Sequence, residues 1–181
     1  MTLTGDTHAF LTSASGLNPA TDDLGTLGGQ NSRAFGLDSL GNVVGESQDA
    51  SGDTHGFLYS GGALHDLGFL AGGQSSSASA LNSAGRIVGT ATDATLNPSA
   101  FLYTAGSMYN LNDITNLDPG WRLTGAYGIN DGNQIVGVGI FNGDEHAVLL
   151  TQTPEPGSLT LIGAGVAGFV LRAKRRQRSR K

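Results

Sequence analysis

Three histidines, His8, His55 and His146, fall at one position of a recurring pattern, which raises the idea of a ring of imidazole metal ligands. The remaining copy carries Ser99 there, and identical positions of a repeat lie apart in space, so the favoured reading is a structural histidine hydrogen-bonded within its own unit. A second candidate is Asp49-Ala50-Ser51-Gly52-Asp53, where Asp49 and Asp53 offer hard oxygen ligands for Ca²⁺, as do Asp93 and Asn97 one unit later. That spacing is far from a complete calcium loop, and a solvated turn is the preferred reading. Asp23 and Asp66, with Asn110 at the matching place, read as turn-forming residues rather than catalytic carboxylates. No Ser/His/Asp order or paired-carboxylate motif stands out. The glycines of 16–29 lack the strand-to-helix setting of a dinucleotide site. Cysteine is absent, which excludes disulfides, thiolate metal sites and a catalytic thiol. The expectation is therefore no catalytic residue and no cofactor.

The elements that would position these residues are repeats. Gly5-Asp6-Thr7-His8-Ala9-Phe10-Leu11 returns as Gly52-Asp53-Thr54-His55-Gly56-Phe57-Leu58, and more loosely at 98–103 and 145–150. An Asp-Leu-Gly element at 23–30 returns at 66–74 and, weakened, at 110–114; a third element at 34–45 returns at 79–89 and 127–137. The period is about 44 residues. Each unit holds four strand-like runs, which in the first complete unit are 34–38, 42–47, 54–60 and 63–67. Links such as Leu40-Gly41-Asn42 and Asp131-Gly132-Asn133 carry the residues that hairpins with positive φ require. Four strands in such a period match one propeller blade, whose faces need neighbours to cover them. Counted along the chain the strands number 2, 4, 4 and 3, fewer than a closed propeller needs, so the predicted fold is an all-β, propeller-like array of four-stranded antiparallel repeats, either incomplete or stacked in an open or oligomeric way. The 29 glycines among 181 residues, roughly twice the usual share of about 7%, suit such a turn-rich architecture.

Charge divides the chain. Residues 1–153 hold Arg33, Arg86 and Arg122 against fourteen acids, so this region has no basic patch for phosphates and nucleic-acid binding is not expected. The other seven basic residues, Arg172, Lys174, Arg175, Arg176, Arg178, Arg180 and Lys181, all lie in the last ten.

Immediately before them, 156–171 are uncharged, with an apolar set of Leu159, Leu161, Ile162, Val166, Phe169, Val170 and Leu171. Sixteen residues make a helix of about 24 Å, short for a bilayer of about 30 Å, but a basic flank that can snorkel favours insertion. A transmembrane helix is therefore predicted at 157–171 with a basic tail at 172–181. Positive charge stays cytoplasmic, which puts 1–153 outside.

Pro154-Glu155-Pro156, a short apolar helix and an arginine-rich end together resemble the PEP-CTERM sorting signal of Gram-negative bacteria, which an exosortase recognises and is thought to cleave near the PEP triplet. His8-Ala9-Phe10, 23–29 and 129–137 resemble the HAF-repeat extracellular proteins that often precede that signal, and Trp121-Arg122-Leu123 with Leu149-Leu150 resembles their closing unit. The resemblance implies a repeat domain at 1–153, a sorting signal at 154–181, and an exosortase and the cytoplasmic membrane as partners. It implies a membrane-anchored protein displayed at the cell surface or in the extracellular matrix, with exopolysaccharide as a further partner and no known catalytic residues. A non-catalytic surface or matrix protein is the favoured function, a glycan- or ligand-binding propeller the alternative, and a secreted enzyme the last. Residues 1–30 lack both Lys or Arg and an apolar signal-peptide core, and Gly5 aligns with the third strand of a unit; an N-terminally shortened chain is expected.

Overall fold

The computed structural model describes residues 5–12, 18, 21–152 and the backbone of 169–171. It is all-β, mostly antiparallel, with a single turn of helix among the described residues. Strands β1 (Ala9–Phe10) and β2 (Asp23–Gly25) form a small two-stranded sheet. The first four-stranded sheet is β3 (Gly28–Leu37), β4 (Val43–Asp49), β5 (Thr54–Ser60) and β6 (Ala63–Asp66), paired in sequence order. The second repeats it with β7 (Ser76–Leu81), β8 (Ile87–Thr92), β9 (Pro98–Thr104) and β10 (Ser107–Asn110). After α1 (Leu111–Ile114) and β11 (Thr115–Asn116), the last sheet contains β12 (Trp121–Ile129), β13 (Ile135–Phe141), β14 (Asp144–Gln152) and β15 (Phe169–Leu171).

The turn chemistry recurs with the sheets. In the link between the first two strands of each, Asp38, Asn82 and Asn130 accept hydrogen bonds through Oδ1 from the N–H four residues on, at 3.0, 3.0 and 2.9 Å. Three residues after each comes the left-handed position, Gly41 (φ +83°), Gly85 (φ +71°) and Asn133 (φ +58°). In the third link it is Asn133, not its neighbour Gly132, that takes this conformation, since Asn tolerates it through local hydrogen bonding.

Alternation along the strands sends each sheet's apolar residues to two sides, one toward the preceding sheet and one toward the following sheet. Val43 and Phe57 pack back on Ala9, Leu11 and Leu24. Val44 and Leu58 meet Ala78, Leu81, Ile87 and Phe101 of the second sheet. Val88, Ala100 and Leu102 in turn meet Leu123, Ala126, Ile135 and Val148 of the last. A blade-like sheet cannot bury both sides alone, so stacking makes the core.

The stack is open, one of the arrangements that the strand count allows: no closed propeller forms among the described residues, where the two-stranded sheet packs on the first sheet. Three departures from the sequence reading follow. The weakened repeat at 110–114 is a helical turn, in which Asn110 still accepts from the N–H two residues on, as Asp23 and Asp66 do, and thereby caps Leu111–Ile114. The last sheet has five strands rather than three, in the order β11-β15-β14-β13-β12. Finally, the helix expected at 157–171 does not extend over Phe169–Leu171, which run as β15 antiparallel to β14 and parallel to β11. The open edge of β14 carries unpaired backbone groups, and a strand satisfies them. The rest of that span, with Pro154, Glu155, Pro156, Leu159, Leu161, Ile162, Val166 and the basic tail 172–181, lies outside the described residues. Among the described residues no helix is long and apolar enough to cross a membrane.

Candidate functional site

The repeated polar residues converge as clasps between strands. His55 Nδ1, on β5, donates to Asp66 Oδ2 at the end of β6, 2.8 Å away, and Asp66 Oδ1 accepts from Gly68 N–H at 2.7 Å. His8 and Asp23 repeat the arrangement at 2.7 Å, with Asp23 Oδ1 accepting from Gly25 N–H at 2.7 Å. Each aspartate is thus a turn residue, as its sequence suggests, and also the partner of the histidine.

A serine completes each clasp from the next sheet. Ser76 Oγ, on β7, accepts from Gly56 N–H at 2.8 Å and donates to Gly68 O. Ser32 Oγ accepts from Ala9 N–H at 3.0 Å and donates to Gly25 O at 2.6 Å. These hydroxyls are committed to backbone groups of the preceding unit, so the His, Asp and Ser of each clasp do not form the nucleophile-base chain of a hydrolase. The serines fall between the repeat elements legible in the sequence, although the shared Gly-Gly-Gln-x-Ser at 28–32 and 72–76 carries them.

The third copy uses other atoms. Ser99 Oγ donates to Asp93 Oδ2 at 3.2 Å, while Asn112 accepts from Leu123 N–H at 2.7 Å and donates to Leu123 O at 2.9 Å, tying β12 to the preceding unit. His146 lies against the rings of Trp121 and Phe141, with centroids 5.4 and 6.5 Å away. His55 and His146 therefore sit in different sheets, and His8 lies just before β1 of a third.

The Asp49 carboxylate is engaged within its own turn, and so is that of Asp93. Asp49 Oδ1 accepts from the N–H groups of Ser51 and Asp53 at 2.8 and 2.9 Å, and Asp93 Oδ1 from those of Thr95 and Asn97 at 2.8 and 3.1 Å. Among the described residues no three His, Cys, Asp or Glu side chains are grouped to hold a metal.

The carboxylates whose acidity departs from the ordinary value all move downward. The Thr95 hydroxyl, aided by nearby N–H groups, lowers Asp93. The Ser83 N–H and then its hydroxyl lower Asp131. At Asp23 burial works upward, and the Gly25 N–H and His8 outweigh it. Such groups are stabilised as anions by turn geometry, unlike a general acid, whose carboxyl is pushed up.

A polar cleft opens to solvent beside the first four-stranded sheet. It measures about 290 Å³ and is lined by Thr7, Asn31, Arg33, Glu46, Gln48 and Thr54, with Arg33 and Glu46 3.5 Å apart and Asn31 bonded to Gln48 at 2.8 Å.

These polar groups serve as clasps and turns, and the one family match falls on the C-terminal segment. Residues 152–176 match the PEP-CTERM protein-sorting motif, which implies recognition by an exosortase and sorting to the envelope or the extracellular side. No curated protein and no solved structure matches the chain.

Proposed function

We propose that this chain is a non-catalytic surface or exopolysaccharide-matrix protein of the HAF-repeat type, held at the cytoplasmic membrane through 157–171 until an exosortase acts near Pro154-Glu155-Pro156. The sorting-motif match at 152–176 carries the reading. It is supported by the seven basic residues that close the chain, against three among residues 1–153. Inside a bilayer, 157–171 has no water to satisfy its backbone, and a helix is the form that does so. The β15 pairing of 169–171 is then the form these residues take in water. Arg172 to Lys181 stay at the anionic cytoplasmic face, and the propeller-like repeats are displayed on the other side.

Deleting 172–181 in a host that carries the exosortase tests this. Released or mis-sorted protein is expected in cell fractionation, and an unchanged distribution overturns the reading. The polar cleft at Arg33 and Glu46 favours glycan binding as a second reading; a glycan array probed with the solubilised full chain distinguishes a binding module from a displayed scaffold.

A further inference from the structure

The side of the last sheet that faces away from the second sheet has the composition of an internal contact and no sheet upon it among the described residues. Val44, Val88 and Val136 share one repeat position; the first two are 0% exposed and Val136 is 49% exposed. Leu102 is 3% exposed, whereas its counterpart Leu149 is 39% exposed and pairs directly with Val136 across β13 and β14. Ala100 is buried and its counterpart Ala147 is exposed. Three small or aliphatic residues that the second sheet buries against its successor thus stand open on the last.

The surface that covers such a side is already visible three times. Leu11 shares a cluster with Phe57, Leu58 with Phe101, and Leu102 with Val148. The leucine always points forward from the third strand of one unit, and the residue that receives it points backward from the third strand of the next. Leu149 is the fourth leucine of this series. The matching backward-pointing residue is Phe10 on β1, which pairs with Asp23 as Phe57 does with Asp66. Phe10 is half-buried and is absent from the cluster formed by its neighbours Ala9 and Leu11.

We infer that the outward side of β13 and β14 docks the β1–β2 sheet of a second copy of this chain, with Leu149 of one copy against Phe10 of the other in a head-to-tail contact. Two described segments of the same chain are engaged elsewhere. Its own β1–β2 sheet packs at the opposite end of the stack, and the described part of its C-terminal segment pairs in the plane of β14. A heterologous contact of this kind closes into a ring or continues as a fibre, depending on the rotation per copy.

The absence of native cysteine makes the test direct. Full-length chains carrying Phe10→Cys and Leu149→Cys, differently tagged and solubilised in mild detergent, are oxidised separately and mixed. A disulfide-linked pair containing both tags, formed only in the mixture and increasing with concentration, is the expected result. No cross-link, a Leu149→Cys pair with itself, or a concentration-independent cross-link within a Phe10→Cys/Leu149→Cys double variant overturns the proposal. The last outcome would mean closure of the stack on itself. Val136→Asp and Leu149→Asp, both at exposed positions, should lower sedimentation-defined association at least tenfold with an unchanged far-ultraviolet circular dichroism spectrum. Unaltered association in folded variants also overturns it.

Discussion

His55 and Asp66 are joined at 2.8 Å across the last two strands of the first sheet, and the same Asp66 caps the turn through Gly68. The imidazole is nearly buried and edge-on to Phe69, with ring centroids 5.1 Å apart. Replacing His55 with Ala removes a charge-assisted bond and leaves a gap, at a cost of about 1.5–3 kcal/mol. Denaturant melting should register that loss, with Asp66→Asn close behind. A change below about 0.5 kcal/mol would show that the clasp is dispensable.

Glycine at the end of each Val-Val-Gly or Ile-Val-Gly run has a packing cause. Gly45, Gly89 and Gly137 lie opposite Phe57, Phe101 and Val148, and a Cβ at Gly89 would collide with Ser77 O and the Phe101 ring. Gly89→Ala is expected to destabilise by about 1–3 kcal/mol through overpacking. Gly85→Ala, nearby but with open space around it, tests a different cost, that of φ +71° alone. Thermal melting of both variants separates crowding from backbone strain.

Leu96 sits at φ +60°, at the position that Gly52 occupies one unit earlier with φ +91°. A left-handed leucine costs about 1–2 kcal/mol, and its exposed side chain recovers little by burial. Leu96→Gly should raise stability by about 0.5–1 kcal/mol despite the greater freedom of the unfolded glycine. A lower melting temperature would count against the strain account.

Acid should loosen the turns. Asp93, lowered by the Thr95 hydroxyl, and Asp131, lowered by the Ser83 N–H, titrate in the folded chain below their ordinary value of 3.8. A depressed carboxyl contributes stability that is present above the unfolded value and lost as pH falls through the folded one. The melting temperature should therefore hold through neutral pH and drop as the pH falls below about 3.8. Asp131→Asn should flatten that limb, since Asp131 links the second and last sheets through Ser83. An acid limb unchanged by this substitution would remove Asp131 from the explanation.

The sequence by itself determined the period, the four-strand unit and the sorting segment, because each is written in local chemistry. Asx and Gly at fixed offsets make hairpins wherever they occur, and Thr54 to Ser60 runs as a strand over its full predicted length. Pro154-Glu155-Pro156 followed by apolar and then basic residues is likewise a linear signal. Tertiary structure decided which repeated residue does what. The role of Ser76 depends on Gly56 and Gly68 of the preceding unit being brought to it, and no local pattern marks that reach. Val88 and Val136 have the same neighbours in sequence, Ile before and Gly after, yet one is buried and the other half exposed. The difference is whether another sheet lies against them, and burial belongs to the stack rather than to the residue.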